Sequence, residues 1–371
     1  MNGLTILVVS NTAWSLYNFR MNLGISLKEH GYRVIMVSAP DEYVKRLEQA
    51  GFEHRSIEFD NAGVNPFRDL KLTFDLFRLY RRERPSVLLH FTIKMNIYGS
   101  IVGGLLSIPC ISNITGLGSL FLDHNPVFRL ARYLYAFALR FPITVFFQNA
   151  DDRDLFIRKR FVQETKTALL PGSGIDLRRF RPRRTRAKRR YLFVGRLIQD
   201  KGIYEFVEAA RLLRNRHPTA EFAVLGGLYT ENPTAVSSST LDGWIEEGLI
   251  RYLGSTDDVA SELAAAECVV LPSYREGLSR VLLEAAAMAR PIITTDVPGC
   301  RDVVDDGLTG FLCRSRDRSD LAAKMERMMR LPAAERTAMG KRGRRKVESQ
   351  FDEKIVIDRY LKVINAVVDG R

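Results

Sequence analysis

The stretch "CVVLPSYREGLSRVLLEAAAM", Cys268–Met288, reads as strand, turn and helix. A short apolar run ends at Pro272 and a polar turn follows. From about Gly277 to Arg280 onward, Val, Leu and Ala recur with helical spacing. A unit of this kind predicts a parallel sheet, because a crossover helix must carry the chain back before the next strand can pair in the same direction. The stretch also raises a question of charge. Glu276 stands just before the helix, while Glu284 lies within it, among small and apolar residues where a bare charge is costly to bury. The helix start, with its unpaired N–H groups and positive dipole end, makes an anion site beside Glu276. Paired carboxylates can do acid–base chemistry on a sugar. The plainer alternatives are a capping carboxylate at Glu276 and a solvated helix position at Glu284. Alanines on the turns around Glu284 argue for close packing, so its carboxylate needs donors.

The same alternation runs along the whole chain. "LTILVVS" (Leu4–Ser10), "YRVIMVS" (Tyr32–Ser38), "SVLLHF" (Ser86–Phe91), "CISNIT" (Cys110–Thr115) and "ITVFFQN" (Ile143–Asn149) are strand candidates separated by helical patterns. The pattern restarts with "RYLFVG" (Arg190–Gly195), "EFAVLGG" (Glu221–Gly227), "IRYLG" (Ile250–Gly254), "PIITTD" (Pro291–Asp296) and "GFLC" (Gly310–Cys313). Two doubly wound α/β domains are expected, with the strand C-termini of both facing one crevice, the edge where such folds bind ligands. Between the halves, "RRFRPRRTRAKRR" (Arg178–Arg190) holds nine Arg or Lys in thirteen positions and reads as a solvated linker. The expected division is 1–184, 185–350 and a C-terminal segment 351–371. That last segment, "FDEKIVIDRYLKVINAVVDG", is an amphipathic helix with Ile355, Tyr360, Leu361 and Ile364 on one side, packing back onto the body.

A chain of 371 residues, 46% apolar and 27% charged, suits two soluble globular domains. The four cysteines are scattered without a CxxC pair or a nearby histidine cluster, which argues for a reducing compartment without structural zinc. "MNGLTILVVSNTAW" reads as a first strand and not a signal peptide, and no apolar run reaches membrane-spanning length. The net charge of +13 calls for an anionic partner, with nucleic acid, anionic lipid and a phosphorylated substrate all open on charge alone. Nucleic acid is not expected, since the basic tract lacks interleaved aromatics beyond Phe180 and no companion recognition motif is present.

The second half opens with "VGRLIQDKG", Val194–Gly202, which delivers Arg196 and Lys201 near a strand's C-terminal edge. Arginine can fork onto phosphate oxygens and lysine supplies a compact point charge.

Together these motifs resemble glycosyltransferase family 4. "EGLSRVLLE" is similar to that family's E-x7-E signature, in the company of "VGRLIQDKG", "GIDLRRFRP" (Gly174–Pro182), "VLGG" (Val224–Gly227), "YLGSTDDV" (Tyr252–Val259) and "DVVDDGLTGFL" (Asp302–Leu312). The resemblance implies the GT-B fold of two Rossmann-like domains. It implies a catalytic set of Glu276, Arg196 and Lys201, and a donor site of Gly195, Arg196, Lys201, Gly254, Glu276, Gly277, Leu278, Ser279 and Glu284. Glu276 would hold the donor sugar's hydroxyls and Glu284 the ribose hydroxyls. Arg196 and Lys201 would neutralise the diphosphate, whose terminal oxygens would sit on the amides of Gly277, Leu278 and Ser279. No cofactor and no metal are implied, and transfer would retain anomeric configuration. The Asp152-Arg153-Asp154 triplet falls at a helix start, "NADDRDLF", and reads as capping and solvated charge.

In the first half, "SNTAWSLYNFR", "HFTIKMNIYGS" and "NITGLGSLF" resemble bacterial enzymes that extend undecaprenyl-diphosphate-linked oligosaccharides, as do "GLYTENPTA" and "PGCRDVV" further on. This implies a UDP-sugar donor, an N-acetylhexosamine such as GalNAc as the transferred group, and a polyprenyl-diphosphate-linked glycan as acceptor in protein glycosylation, capsule or O-antigen assembly. The acceptor candidates are Asn18, Arg20, His90, Lys94, Thr115 and Gly116, with a strand-end structural role as the rival reading of His90. The chain departs from the family in having Asn11-Thr12-Ala13-Trp14 where many members carry a Gly-Gly pair, and Ile114-Thr115-Gly116 where some place a histidine. "NPVFRLARYLYAFALRFP" (Asn125–Pro142) and "FDLFRLYRRERP" (Phe74–Pro85) mix aromatics with arginines and suit an anionic cytoplasmic leaflet, placing the protein peripherally on the inner face of the membrane, with a buried core helix edged by arginines as the equal alternative for the first. Two other readings remain at this stage: a non-hydrolysing nucleotide-sugar epimerase and a basic nucleic-acid-binding protein.

Overall fold

The computed structural model describes residues 3–58, 65–117, 126–183 and 189–370. They form two compact units, Met1–Ser173 with Lys354–Arg371, and Gly174–Glu353.

The first unit carries a parallel sheet of β1 (Thr5–Thr12), β2 (Arg33–Ala39), β3 (Glu53–Ser56), β4 (Val87–Phe91), β5 (Cys110–Ile114), β6 (Thr144–Phe147) and β7 (Thr167–Leu169), in the order β3-β2-β1-β4-β5-β6-β7. Crossovers are made by α1 (Ala13–Glu29), α2 (Val44–Gln49), α3 (Pro66–Glu83), α4 (Ser100–Leu105), α5 (Pro126–Ala138) and α6 (Ala150–Arg158). Helices cover both faces of the sheet, which is why Ile6, Leu7, Val8 and Val9 are all buried and the strands read as unbroken apolar runs. The edge strands β3, "EHRS", and β7, "TAL", escape a reading by hydrophobic pattern because one is polar and the other three residues long.

The second unit repeats the plan with β8 (Arg190–Val194), β9 (Glu221–Leu225), β10 (Arg251–Tyr252), β11 (Cys268–Leu271), β12 (Ile292–Thr295) and β13 (Gly310–Cys313), ordered β10-β9-β8-β11-β12-β13. Its helices are α7 (Ile203–Leu213), α8 (Ser238–Glu246), α9 (Val259–Ala265), α10 (Arg280–Ala287), α11 (Arg318–Arg330) and α12 (Ala333–Gln350). In both sheets the strand order reverses direction beside the first strand, at β1/β4 and at β8/β11. These are the switch points where doubly wound sheets bind ligands.

The boundary differs from the expectation near residue 185. Ile175 is buried in the second core, and its N–H donates to the Phe351 carbonyl at 2.9 Å, so the second unit begins at Gly174. The basic tract is correspondingly less solvated than its composition suggests. Phe180 is buried, its carbonyl accepts from Arg344 Nη1 at 2.7 Å, and Arg190 is buried between Glu221 and Glu262. Residues 184–188 of that tract lie outside the described residues.

The final helix, α13 (Glu353–Asp369), belongs to the first unit. Val356, Tyr360, Leu361 and Ile364 enter its core, the Tyr360 ring packs on Phe146 at 5.0 Å, and Asn113 Nδ2 donates to the Tyr360 hydroxyl at 2.6 Å. Desolvation pushes the Tyr360 phenol up to about 12, against the opposing charge of Arg20. At α6 the cap is Asn149, whose Oδ1 accepts from the Asp152 amide at 2.7 Å. Asp152 itself is buried, not solvated.

Candidate active site

The switch point of the second sheet gathers the charged residues singled out above. Beyond β8 the chain passes Gly195 and Arg196, makes a 3-10 turn at Gln199–Lys201 and enters α7 through Gly202. Beyond β11 it runs through Pro272–Ser279 into α10. The two loops are stapled together: the Asp200 carbonyl accepts from the Tyr274 amide at 2.9 Å and from Ser273 Oγ at 3.1 Å. Gly202 is required here, with φ of +73° and so little room that a Cβ would stand 2.1 Å from the Pro272 carbonyl oxygen. This staple brings Lys201 to Glu276, where Nζ donates to Oε1 at 2.5 Å between side chains 19% and 13% exposed.

Glu276 is fixed from its other side by the turn Val297–Cys300. Its amide donates to the Pro298 carbonyl at 3.1 Å. Gly299 has φ of +77°, and a Cβ there would lie 2.4 Å from the Glu276 carbonyl oxygen. The "PGCRDVV" stretch thus contributes a backbone wall, a role that no charge or periodicity signalled. Burial, assisted by the charge of Glu276, pushes the nearby Cys300 thiol up to about 12, so it keeps its proton and offers no thiolate.

The amide of Ser279 donates to the Gly299 carbonyl at 3.0 Å. That corrects the expected trio of diphosphate-binding amides: Ser279 caps the start of α10 and its own N–H is already spent. Leu278 is buried with the second core, and Gly277 stays in the turn beside Glu276. Arg196 is exposed and lies 5.1 Å from the centre of the Tyr229 ring, a partner supplied by "GLYTENPTA". Gly254, after β10, accepts from the Gly226 amide at 2.8 Å and joins the loops at the C-terminal edge.

Glu284 is 8% exposed and receives Arg280 Nε at 3.0 Å across one helical turn. Desolvation raises its carboxyl above the usual range, opposed by Arg280 and Arg179. Arg179 falls in the tract read as linker, so its bearing on Glu284 is legible only in the folded unit.

The first switch point is built differently. His90 is fully buried, with Nε2 3.0 Å from the Tyr80 hydroxyl and Nδ1 3.3 Å from Ser100 Oγ, and burial lowers its pKa to about 3. It is a core residue and not an acceptor ligand. Arg20 is also buried, its guanidinium 4.1 Å from the centre of the Phe91 ring, which removes it from the exposed acceptor set. Lys94 donates to Asp69 Oδ1 at 2.8 Å, while Tyr98 donates to Asp69 Oδ2 at 2.8 Å. Asn18 Nδ2 donates back to the Trp14 carbonyl on its own helix at 3.0 Å. Thr115 and Gly116 follow β5 at the C-terminal edge, Thr115 exposed, and residues 118–125 beyond them lie outside the described residues. The N-terminus of α1, where a Gly-Gly pair is missing, is capped by Thr12 Oγ1 on the Ser15 amide and by Asp41 on the Trp14 amide. Strain also marks this edge. Thr92 adopts φ of +74° directly after β4, an outlier for a β-branched residue. Among the described residues its buried Oγ1 has no hydrogen-bond partner.

Residues 188–330 match the family model "Glycosyl transferases group 1", and residues 5–149 match "Glycosyl transferase 4-like". The chain is a family 4 glycosyltransferase of the GT-B fold.

This glycosyltransferase is 28% identical to the N,N'-diacetylbacillosaminyl-diphospho-undecaprenol alpha-1,3-N-acetylgalactosaminyltransferase of Campylobacter jejuni, over 97% of its own length and 98% of that protein. It is 26% identical to the capsular polysaccharide biosynthesis glycosyltransferase CapM of Staphylococcus aureus, covering 86% and 87% of the two chains. Among solved structures, HepE from Anabaena in complex with UDP superimposes with a TM-score of 0.80 over 98% of this chain and 100% of that one, at 16% identity. Among the described residues, no helix is long and apolar enough to cross a membrane.

Proposed function

We propose that this glycosyltransferase moves an N-acetylhexosamine, GalNAc as the first candidate, from a UDP-sugar to an undecaprenyl-diphosphate-linked saccharide, with retention of anomeric configuration. The observation that carries the reading is the Lys201–Glu276 pair at the C-terminal edge of the second sheet, stapled between two loops beside the start of α10. The similarity to the Campylobacter enzyme over nearly the whole of both chains supports the choice of donor and acceptor.

On this reading the donor diphosphate competes for Lys201 and Arg196, two cations matched to the charge that develops as the nucleotide leaves. Release of Lys201 frees Glu276 to accept hydrogen bonds from the sugar hydroxyls. Glu284 accepts from the ribose hydroxyls. The bond between C1 and the phosphate oxygen breaks while the acceptor hydroxyl attaches to the same face of C1, and its proton passes to the departing phosphate. No side-chain nucleophile and no divalent cation are used. The acceptor engages the first unit at its C-terminal edge, with Thr115, Gly116 and Lys94 as the reachable candidates, and the protein works from the inner surface of the cell membrane.

The test is a screen of UDP-sugars against polyprenyl-diphosphate-linked saccharides, read by product mass, with chelator present in one arm. An N-acetylhexosamine mass increment that persists with chelator supports the reading. UDP-sugar consumption without acceptor would favour an epimerase instead.

A further inference from the structure

We propose that α3 is the surface by which the first unit docks on an anionic bilayer, inserting Phe67, Leu70 and Phe74 and pairing its arginines with lipid phosphates. This deepens the lipid-linked reading above and rests on it for its biological sense. The helix has two apolar faces where a soluble one needs a single face. Leu72, Leu76 and Tyr80 point into the core. Phe67, Leu70 and Phe74, at helical spacing on another side, are 85%, 69% and 58% exposed. Asn65 and Pro66 fix this end of the helix, with Asn65 Oδ1 accepting from the amides of Phe67 and Arg68.

Charge selects the occupant. One turn beyond Phe74 the same side becomes basic: Arg78 lies 5.7 Å from the Phe74 ring centre, and Arg81 and Arg82 follow, all three exposed. Lys71, 62% exposed at its side chain and 3.4 Å from Glu58, flanks the apolar stripe. Two of the three acids of the helix are withdrawn, while the third, Asp75, is 32% exposed at its side chain and lies 3.8 Å from Lys71. Asp69 is buried against Lys94, and Glu83, 7% exposed at its side chain, receives Arg55. A groove of about 920 Å3 beside the helix sets four cations, Lys71, Arg78, Arg81 and Arg82, against two acids, Glu58 and Asp75, a net-basic setting for a phosphate headgroup. An apolar half-helix continuing into a basic half suits the boundary between acyl chains and anionic headgroups.

The position agrees with the site. Asp69 of α3 holds Lys94, three residues beyond the end of β4, at 2.8 Å. A bilayer on the outer side of α3 is therefore one side chain removed from the C-terminal edge where a lipid-linked diphosphate would arrive.

The experiment uses the full chain in co-sedimentation with phosphatidylcholine vesicles, with and without phosphatidylglycerol. Wild type is expected to bind the anionic vesicles and to release with rising salt. The variant Phe67→Ser/Leu70→Ser/Phe74→Ser should lose vesicle affinity by about tenfold or more, as should Arg78→Gln/Arg81→Gln/Arg82→Gln on anionic vesicles. Both should keep wild-type UDP affinity and melting temperature, since neither alters the second unit. Wild-type vesicle binding by the triple serine variant would overturn the proposal, as would equal binding of wild type to neutral and anionic vesicles. So would a wild-type dimer that the serine substitutions dissolve, which would make this face a self-interface. Vesicle binding with no transfer to any lipid-linked acceptor would instead count against the proposed function and leave the docking surface standing.

Discussion

The two sheets share one plan, and each pairs a lysine with a carboxylate at its switch point, yet they leave different amounts of charge exposed. At the first, Lys94 pairs with Asp69, Arg20 lies over Phe91, and the amides that open α1 are capped by Thr12 and Asp41. At the second, Lys201 is likewise paired, with Glu276, but Arg196 stands exposed. A shared strand order therefore does not make two equivalent sites. The sheet supplies an edge, and the side chains placed there set how much charge that edge leaves uncovered.

The comparison breaks most directly at Glu276. Glu276→Gln should lower turnover by about a hundred- to a thousandfold with only a small change in UDP affinity, measured by steady-state kinetics and calorimetry. Equal loss in the two quantities would mean that the pair serves nucleotide binding alone. The counterpart in the first unit is Lys94→Met, which strands Asp69 and should cost about 3 kcal/mol of stability in denaturant unfolding. A stable variant with lost transfer would instead place Lys94 in the acceptor site proposed above.

His90→Ala should cost about 2 kcal/mol by leaving Tyr80 and Ser100 without their partner. It should not change UDP affinity. Because the folded-state pKa of about 3 lies below the free value of 6.5, the native form binds fewer protons between them, and stability falls as pH drops through that window. The wild-type advantage over the variant should narrow across the same range, as followed by thermal melts.

The smallest effect is the one that sharpens the contrast. Glu284→Gln should weaken UDP binding by about tenfold. The raised carboxyl means that the native form holds its proton to higher pH than the unfolded chain, so wild type loses stability relative to Gln as pH rises above 4.5. A Gln variant that gains stability in the ligand-free protein while losing UDP affinity would mark Glu284 as a residue kept for binding.

Much of this was readable from the sequence because the relevant information is local. The apolar runs locate most strands, and the Gly277–Ser279 turn puts the start of α10 at Arg280, leaving Glu276 before the helix and Glu284 within it. What could not be read depends on residues distant in the chain. Asp69 meets Lys94 across 25 positions, and Ile175 pairs with the backbone near Phe351, which moves the unit boundary away from the most basic stretch. His90 follows the strand pattern correctly, but which face it lines depends on Tyr80 and Ser100. A run of arginines suggests solvent, yet Arg190 finds two carboxylates and is buried.

The return of α13 to the first unit has a consequence for synthesis. Val356, Tyr360, Leu361 and Ile364 complete a core whose other buried members lie before residue 171. The first unit to leave the ribosome therefore cannot close until residues beyond Glu353 have been made. During that interval Phe91 and Phe146 lack their cover, and the nascent chain has a hydrophobic opening for chaperones to guard.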